Sequence, residues 1–194
     1  VGGTGLALDF GVFTSSGIYT VVAANVTTGC IQNMSGSVSI TINSLPAVFM
    51  VTGGGSYCAG GAGYHIGLSG SAFGVNYQLY NSGTAVGSPM AGTGSAIDFG
   101  IITIGGTYTV IATNPSTSCS ANMAGSATIT VNPLPLIYTV TGGGNYCPGG
   151  SGVHIGLSGS NSGINYSLMR GTTLVATMPG NDSTIDFGWQ TVAG

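Results

Sequence analysis

The chain is 194 residues long and 43% apolar, with one basic and four acidic side chains and a formal net charge of −3. Ordinary globular chains are about a quarter charged, so electrostatics can organise little here, and a single basic side chain, Arg170, cannot neutralise a run of phosphates, which excludes nucleic-acid binding. No apolar run approaches the roughly 20 residues of a spanning helix, and alternating polar and apolar stretches argue against disorder even though glycine reaches 37 residues.

In chain order, residues 1–46 read as the C-terminal half of a module. The opening stretch, ending in Asp9-Phe10-Gly11, matches the middle of the next module around Asp98-Phe99-Gly100, not its beginning. From there Tyr19-Thr20-Val21 through Leu45-Pro46 returns as Tyr108-Thr109-Val110 through Leu134-Pro135, with Cys30 and Cys119 in register at a spacing of 89 residues. Self-similarity at domain length signals an array of like modules.

Residues 47–135 read as a complete module. Strands are predicted near 48–52, 64–69, 75–80, 85–88, 96–99, 106–113 and 125–131, because β-branched residues and tyrosines alternate there with small polar ones and glycine clusters supply the turns. Tyr77 falls on the core face by this alternation. Tyr108, after Asp98-Phe99-Gly100 and a glycine turn, occupies the place of a tyrosine corner. Seven short strands in this length predict an all-β fold of tandem immunoglobulin-like β-sandwich repeats of about 89 residues.

Residues 136–194 read as the N-terminal part of a further module, since the segment from Val51 to Cys58 returns from Val140 to Cys147 at the same spacing. Tyr77 to Tyr166 is 89 residues but Asp98 to Asp186 is 88, so one residue is lost, expected in the exposed turn around 81–94. Asn43-Ser44-Leu45-Pro46 and Asn132-Pro133-Leu134-Pro135 are short proline-bearing junctions that should be semi-rigid. One complete module between two partial ones reads as a piece of a longer polypeptide.

The complete module holds two cysteines, Cys58 and Cys119, which suggests one structural disulfide per module. Cys30 and Cys147 would then pair with residues outside the window. Closing the 61 residues from Cys58 to Cys119 would stabilise the module by about 4 kcal/mol on chain-entropy grounds and would imply an oxidising compartment. A zinc site needs four close ligands, commonly in CxxC pairs, and no such spacing occurs.

Motifs that resemble chemistry are read as structural. Asp-Phe-Gly recurs at Asp9, Asp98 and Asp186, but no glycine-rich loop, strand lysine or His-Arg-Asp loop accompanies it. It is expected to be a strand end, with Ile97 and Phe99 inward and Asp98 facing solvent or accepting bonds from a turn. His65 and His154, alternating with core positions, are expected on the outer face, without a carboxylate in their local sequence and without a nucleophile to activate. Gly53-Gly54-Gly55 and Gly142-Gly143-Gly144 are turns, since no Lys-Ser or Lys-Thr follows. No cofactor, catalytic or metal residue is expected. Asp182-Ser183-Thr184 makes Ser183 a candidate for O-glycosylation, and Asn25, Asn33, Asn165 and Asn181 each open an N-linked pattern.

Through Gly-Gly-Gly-Ser-Tyr-Cys58, through Gly106-Thr-Tyr-Thr-Val-Ile-Ala-Thr-Asn114 followed by Cys119, and through Ala127-Thr-Ile-Thr-Val-Asn-Pro-Leu-Pro135, the chain resembles the tandem immunoglobulin-like repeats of giant secreted surface proteins of Bacteroidota, gliding-type adhesins and cell-surface fibres. The resemblance implies an extracellular location at the cell surface and carries no catalytic residue over. The expected function is a non-enzymatic structural stalk or filament, partnered by neighbouring repeats and by like chains in a fibre. The alternative is an adhesin whose repeats bind glycans, cells or surfaces, with Tyr64, Tyr77 and Tyr80 as candidate contacts.

Overall fold

Runs such as Ser126-Ala127-Thr128-Ile129-Thr130-Val131 put small polar and apolar residues on opposite faces of an extended chain, and β-branched residues favour that pleat. The outcome is all-β. In the structure, a computed structural model describing residues 1–192, every regular element among the described residues is a strand. No helix is therefore long and apolar enough to cross a membrane among those residues. The chain divides into two compact units, one of Val1–Gly55 with Ala62–Thr130, the other of Ser56–Gly61 with the residues from Val131 onward.

In the first unit, β1 (Gly17–Tyr19) and β2 (Val22–Ala24) pair antiparallel with β4 (Val38–Ile40) and β3 (Ile31–Asn33) respectively, as two short ladders. The main body follows as β5 (Val51–Gly53), then, beyond β6 (Gly55–Cys58), β7 (Tyr64–Leu68), β8 (Asn76–Asn81), β9 (Thr84–Ala91), β10 (Ile97–Ile102), β11 (Gly106–Thr113), β12 (Ser120–Asn122) and β13 (Ala127–Asn132). One sheet has the order β10-β7-β5, and a second runs β13-β11-β8-β9 with β12 also on β11.

Period-two alternation decides what these sheets bury. Ile66 and Leu68 on the first, and Tyr77, Leu79, Val110 and Ala112 on the second, are all buried, and Phe49 meets the Tyr77 ring edge-on at 6.5 Å. Several sheets sharing one core are consistent with a β-sandwich. The chain ahead of β5 also ties to the last hairpin: Ala124 N–H donates to the Phe49 carbonyl, and Val51 N–H donates to the Ala124 carbonyl, each at 2.9 Å.

Polar groups inside this core are all engaged. The Tyr108 hydroxyl donates to the Ile104 carbonyl at 2.7 Å and accepts from Asn81 Nδ2 at 3.1 Å. Buried Ser71 donates to the Ser95 carbonyl at 2.6 Å and accepts from Thr93 N–H at 2.9 Å, fixing the segment that enters β10. Among the described residues no buried side-chain nitrogen or oxygen lacks a partner, as a low-dielectric interior demands.

Strand positions follow the sequence expectation closely at 64–69 and 106–113, and the differences are local. β9 and β10 run further than predicted, β9 through Pro89, which a strand at a sheet edge tolerates because its N–H side needs no ladder partner. Gly53-Gly54-Gly55 does not simply turn the chain: it separates two short strands, β5 and β6. β12 is an element that the alternation did not reveal.

The second unit carries β14 (Val140–Gly142), β15 (Val153–Leu157), β16 (Asn165–Arg170), β17 (Thr173–Pro179) and β18 (Ile185–Gln190), in two sheets ordered β14-β15-β18 and β16-β17. Within the same unit, Ala59 N–H donates to the Asn132 carbonyl at 2.8 Å. The lost residue falls within the stretch 81–94 that the sequence indicated, but most of that stretch is a strand and not an exposed turn. β9 has 8 residues and β17 has 7, each with a register shift against its partner, between Tyr77 and Leu79 in one and between Leu168 and Met169 in the other. A bulge takes up a single residue while both strand ends keep their pairing.

Candidate functional site

The arrangement nearest to a chemical site is a histidine and a carboxylate on the outer face of the β10-β7-β5 sheet. His65 precedes buried Ile66 and so points outward, its side chain 61% exposed. Asp98 is the register partner of Gly67, diagonal to His65, and a shift in the ladder between Asp98 and Ile101 lets its carboxylate lean across. Glycine at 67 lets β10 approach closely, since a Cβ there would lie 2.5 Å from the Ile97 carbonyl oxygen. The result is a His65 Nδ1 to Asp98 Oδ2 contact of 2.7 Å.

The same construction recurs in the second unit, where His154 Nδ1 lies 2.5 Å from Asp186 Oδ2. There the ladder shifts between His154 and Gly156, and the exposed Trp189, register partner of His154, sets its ring edge against the imidazole at 4.0 Å.

Both carboxylates are held by a second, local bond. Gly100 and Gly188 take positive φ, 89° and 78°, which turns their N–H groups back to donate to Asp98 Oδ1 and Asp186 Oδ1, each at 2.8 Å. These backbone donors, opposed by partial desolvation and reinforced by the histidines, hold both carboxyls below their ordinary 3.8. Such a pair orients an imidazole through Nδ1. Hydroxyls also anchor these sheets to the chain ahead of them: Ser69 Oγ accepts from Met50 N–H and Ser158 Oγ accepts from Thr139 N–H, each at 3.0 Å. Each pair is an exposed cross-strand tie, between β7 and β10 in one copy and between β15 and β18 in the other.

Sequence reasoning placed the histidines outward and the carboxylates against a turn, as found, but it missed their pairing. The partners stand 33 residues apart in one copy and 32 in the other. Their joint recurrence in successive copies was the available signal. Among the described residues no group of three or more His, Cys, Asp or Glu side chains is gathered to hold a metal ion.

The Cys58–Cys119 bridge expected from the cysteine count is not formed in this structure. Cys30, Cys58, Cys119 and Cys147 are all unpaired. Cys58, followed by a turn closed by Gly61 N–H on its own carbonyl at 2.9 Å, belongs to the second compact unit, whereas Cys119 belongs to the first. Cys119 lies just before β12, after a tight turn at Asn114–Ser118, and its Sγ faces the Asn43 carbonyl at 4.0 Å.

Of the remaining candidates, Ser183 is exposed, its hydroxyl donating to Asn181 Oδ1 at 3.0 Å and its carbonyl accepting from the buried Ser160 Oγ at 2.6 Å. Of the tyrosines considered for binding, Tyr77 is in the core with its hydroxyl accepting from Ala72 N–H at 2.9 Å, which leaves Tyr64 and Tyr80 with exposed ring surface. Comparison with known proteins gives no match, whether to a family model, a curated protein or a solved structure.

Proposed function

We propose that this chain is a structural stretch of an extracellular bacterial surface stalk or filament, built from tandem immunoglobulin-like β-sandwiches, with no catalytic role. The observation that carries the reading is recurrence: the residues of β5, β7, β8, β9 and β10 return in the same order as β14 to β18 at a spacing of 89 residues, falling to 88 after the bulge. An array that repeats one scaffold along the chain has extension as its physical product.

The immunoglobulin-like assignment is supported by two features of the main body. The strand at each end of the β10-β7-β5 sheet pairs with the one between, while β11 has β8 on one side and β12 and β13 on the other, the division of strands expected for that family of sandwiches. The Tyr108 hydroxyl reaching back four residues to the Ile104 carbonyl is the hydrogen bond of a tyrosine corner. Proline-bearing junctions limit bending between neighbours, and the extracellular location follows from the resemblance to secreted surface repeats.

Antibodies against residues 47–135 test the proposal. They should label intact cells of the source organism, and electron microscopy of the released protein should show extended threads. Labelling that requires lysis would remove the proposal.

A further inference from the structure

Each kind of cysteine in this chain is presented by a local device that both of its copies keep. Cys58 and Cys147 open Cys-x-Gly-Gly turns, in which the N–H of Gly61 and of Gly150 donates back to the cysteine carbonyl at 2.9 Å. Cys30 and Cys119 close loops in which the N–H of Asn25 and of Asn114 donates to the cysteine carbonyl, at 2.8 and 2.9 Å. Backbone bonds thus fix where each thiol stands, in the same way in successive modules.

The neighbours of the two thiols of the complete module are equivalent to each other. Cys119 Sγ faces the Asn43 carbonyl oxygen at 4.0 Å. Ala59, bonded to Cys58, donates its N–H to the Asn132 carbonyl oxygen at 2.8 Å. Asn43 and Asn132 are one position of successive copies, 89 residues apart, and each opens a proline-bearing junction. The front cysteine of a module therefore lies at the junction that follows it, and the back cysteine at the junction that precedes it.

We propose that the disulfides of this array run between modules, joining the front cysteine of one module to the back cysteine of its successor. The inference rests on the reading of the chain as tandem sandwiches, and it states how they are joined. Carried onto one junction, the two contacts bring both cysteines to the same carbonyl oxygen. Covalent geometry puts the Cys58 Cα within roughly 5 Å of the oxygen that holds Ala59 N–H, and the partner Sγ faces that oxygen from 4.0 Å. Disulfides bridge Cα atoms about 4.4–6.8 Å apart, so the two are within reach. Cys58 and Cys119 of a single module attend the junctions after and before it, and they are unpaired.

Closing the link removes two electrons and two protons from the thiol pair. One cysteine thiolate displaces a thiol from a disulfide oxidant, the second displaces the oxidant's other sulfur, and the oxidant leaves as two thiols. A covalent path then crosses each junction beside the peptide backbone, which keeps successive modules together when the chain is pulled.

A chain in which residues 47–135 occur twice in succession tests this, because Pro135 then meets Ala47 as Pro46 does in the natural sequence. Cys30→Ser and Cys147→Ser are made throughout, and two of the remaining cysteines are kept at a time, the others becoming serine. With Cys58 kept in the first copy and Cys119 in the second, oxidised glutathione should close an intramolecular disulfide, read in the intact mass as the loss of two hydrogens and unaffected by dilution. With both cysteines kept in one copy, or with Cys119 kept in the first and Cys58 in the second, glutathione adducts should form instead. Closure in either of these arrangements, or adducts in the first, overturns the proposal. Amide hydrogen exchange on the duplicated chain with all its cysteines separates this failure from failure of the underlying reading. Protected β11 amides in both copies, with the first arrangement left open, defeat the link alone. Unprotected β11 amides defeat the sandwich reading and the link with it.

Discussion

His65 and Asp98, 33 residues apart in sequence, hold their side chains 2.7 Å apart across the β7-β10 ladder. His154 and Asp186 repeat the contact although the intervening chain is one residue shorter. The contact survives because the missing residue is taken out of a bulged strand that neither partner belongs to. A surface tie preserved through a deletion points to a sheet whose two copies are positioned by the same ladder, and not by the length of the chain between.

Acid should loosen this tie in a defined window. The Asp98 and Asp186 carboxyls lie below 3.8 in the folded chain, chiefly through Gly100 and Gly188 N–H and then through the histidines. Their folded values being lower than the unfolded ones, the ionised form favours folding: this contribution is complete above the unfolded value and disappears as pH falls through the folded one. Thermal melts should therefore show no loss from these groups between about pH 5 and 8 and a decline below about pH 4. Carboxyl NMR titration of His65→Gln should still find Asp98 depressed, because the Gly100 donor remains. An ordinary aspartate value in that variant would contradict the ranking of causes.

Salt should matter little. With one basic and four acidic side chains, and two exposed His-Asp contacts of a kind that contributes little in water, there is almost nothing to screen. Raising sodium chloride from about 0.01 to 1 M shortens the Debye length from about 30 to 3 Å, and Tm should move by no more than about 2 °C. A larger shift, followed by circular dichroism, would mean that an ionic interaction organises the fold after all.

Tyr108→Phe isolates the buried hydroxyl. The substitution keeps the ring in the core but removes the donor to the Ile104 carbonyl and one acceptor for Asn81 Nδ2. Losing a bond whose donor is buried costs about 0.5–1.5 kcal/mol, which should lower Tm by several degrees. Tyr19→Phe makes a useful contrast, because Tyr19 donates the equivalent bond to the Ser15 carbonyl at 2.8 Å in exposed surroundings. Water can replace that partner, so its effect should be smaller. Equal losses in denaturant titrations would show that burial is not what gives the corner its value.

Much of this architecture was legible because the determinants are local and periodic. Alternation along 106–113 and 64–69 placed β11 and β7, and put Tyr77 inside and His65 outside. What escaped depended on contacts between distant strands. The extension of β10 past Asp98 relies on a ladder irregularity opposite His65, and Asp98 finds its histidine only through that register. Glycine triplets were read as turns because their backbone freedom is local knowledge, whereas the pairing that makes β5 and β6 strands on either side is not. Cysteine count likewise says nothing of geometry: Cys58 and Cys119 fall in different compact units.

Gly67→Ala tests how closely the strands of the β10-β7-β5 sheet must approach. A Cβ built at Gly67 would lie 2.5 Å from the Ile97 carbonyl oxygen and 3.3 Å from Thr52 Oγ1, inside van der Waals contact with a backbone atom that cannot swing aside. The ladder on one side or the other must open, and because Asp98 is the register partner of Gly67, the His65–Asp98 contact should open with it. Overpacking of this kind costs about 1–3 kcal/mol. Gly2→Ala, where a Cβ would meet nothing within 4 Å, should be neutral and controls for the change in composition. The expected result is a lower denaturant midpoint for Gly67→Ala together with a displaced His65 imidazole resonance. A variant as stable as wild type, with that resonance unmoved, would mean that the two strands can separate without disturbing the pair.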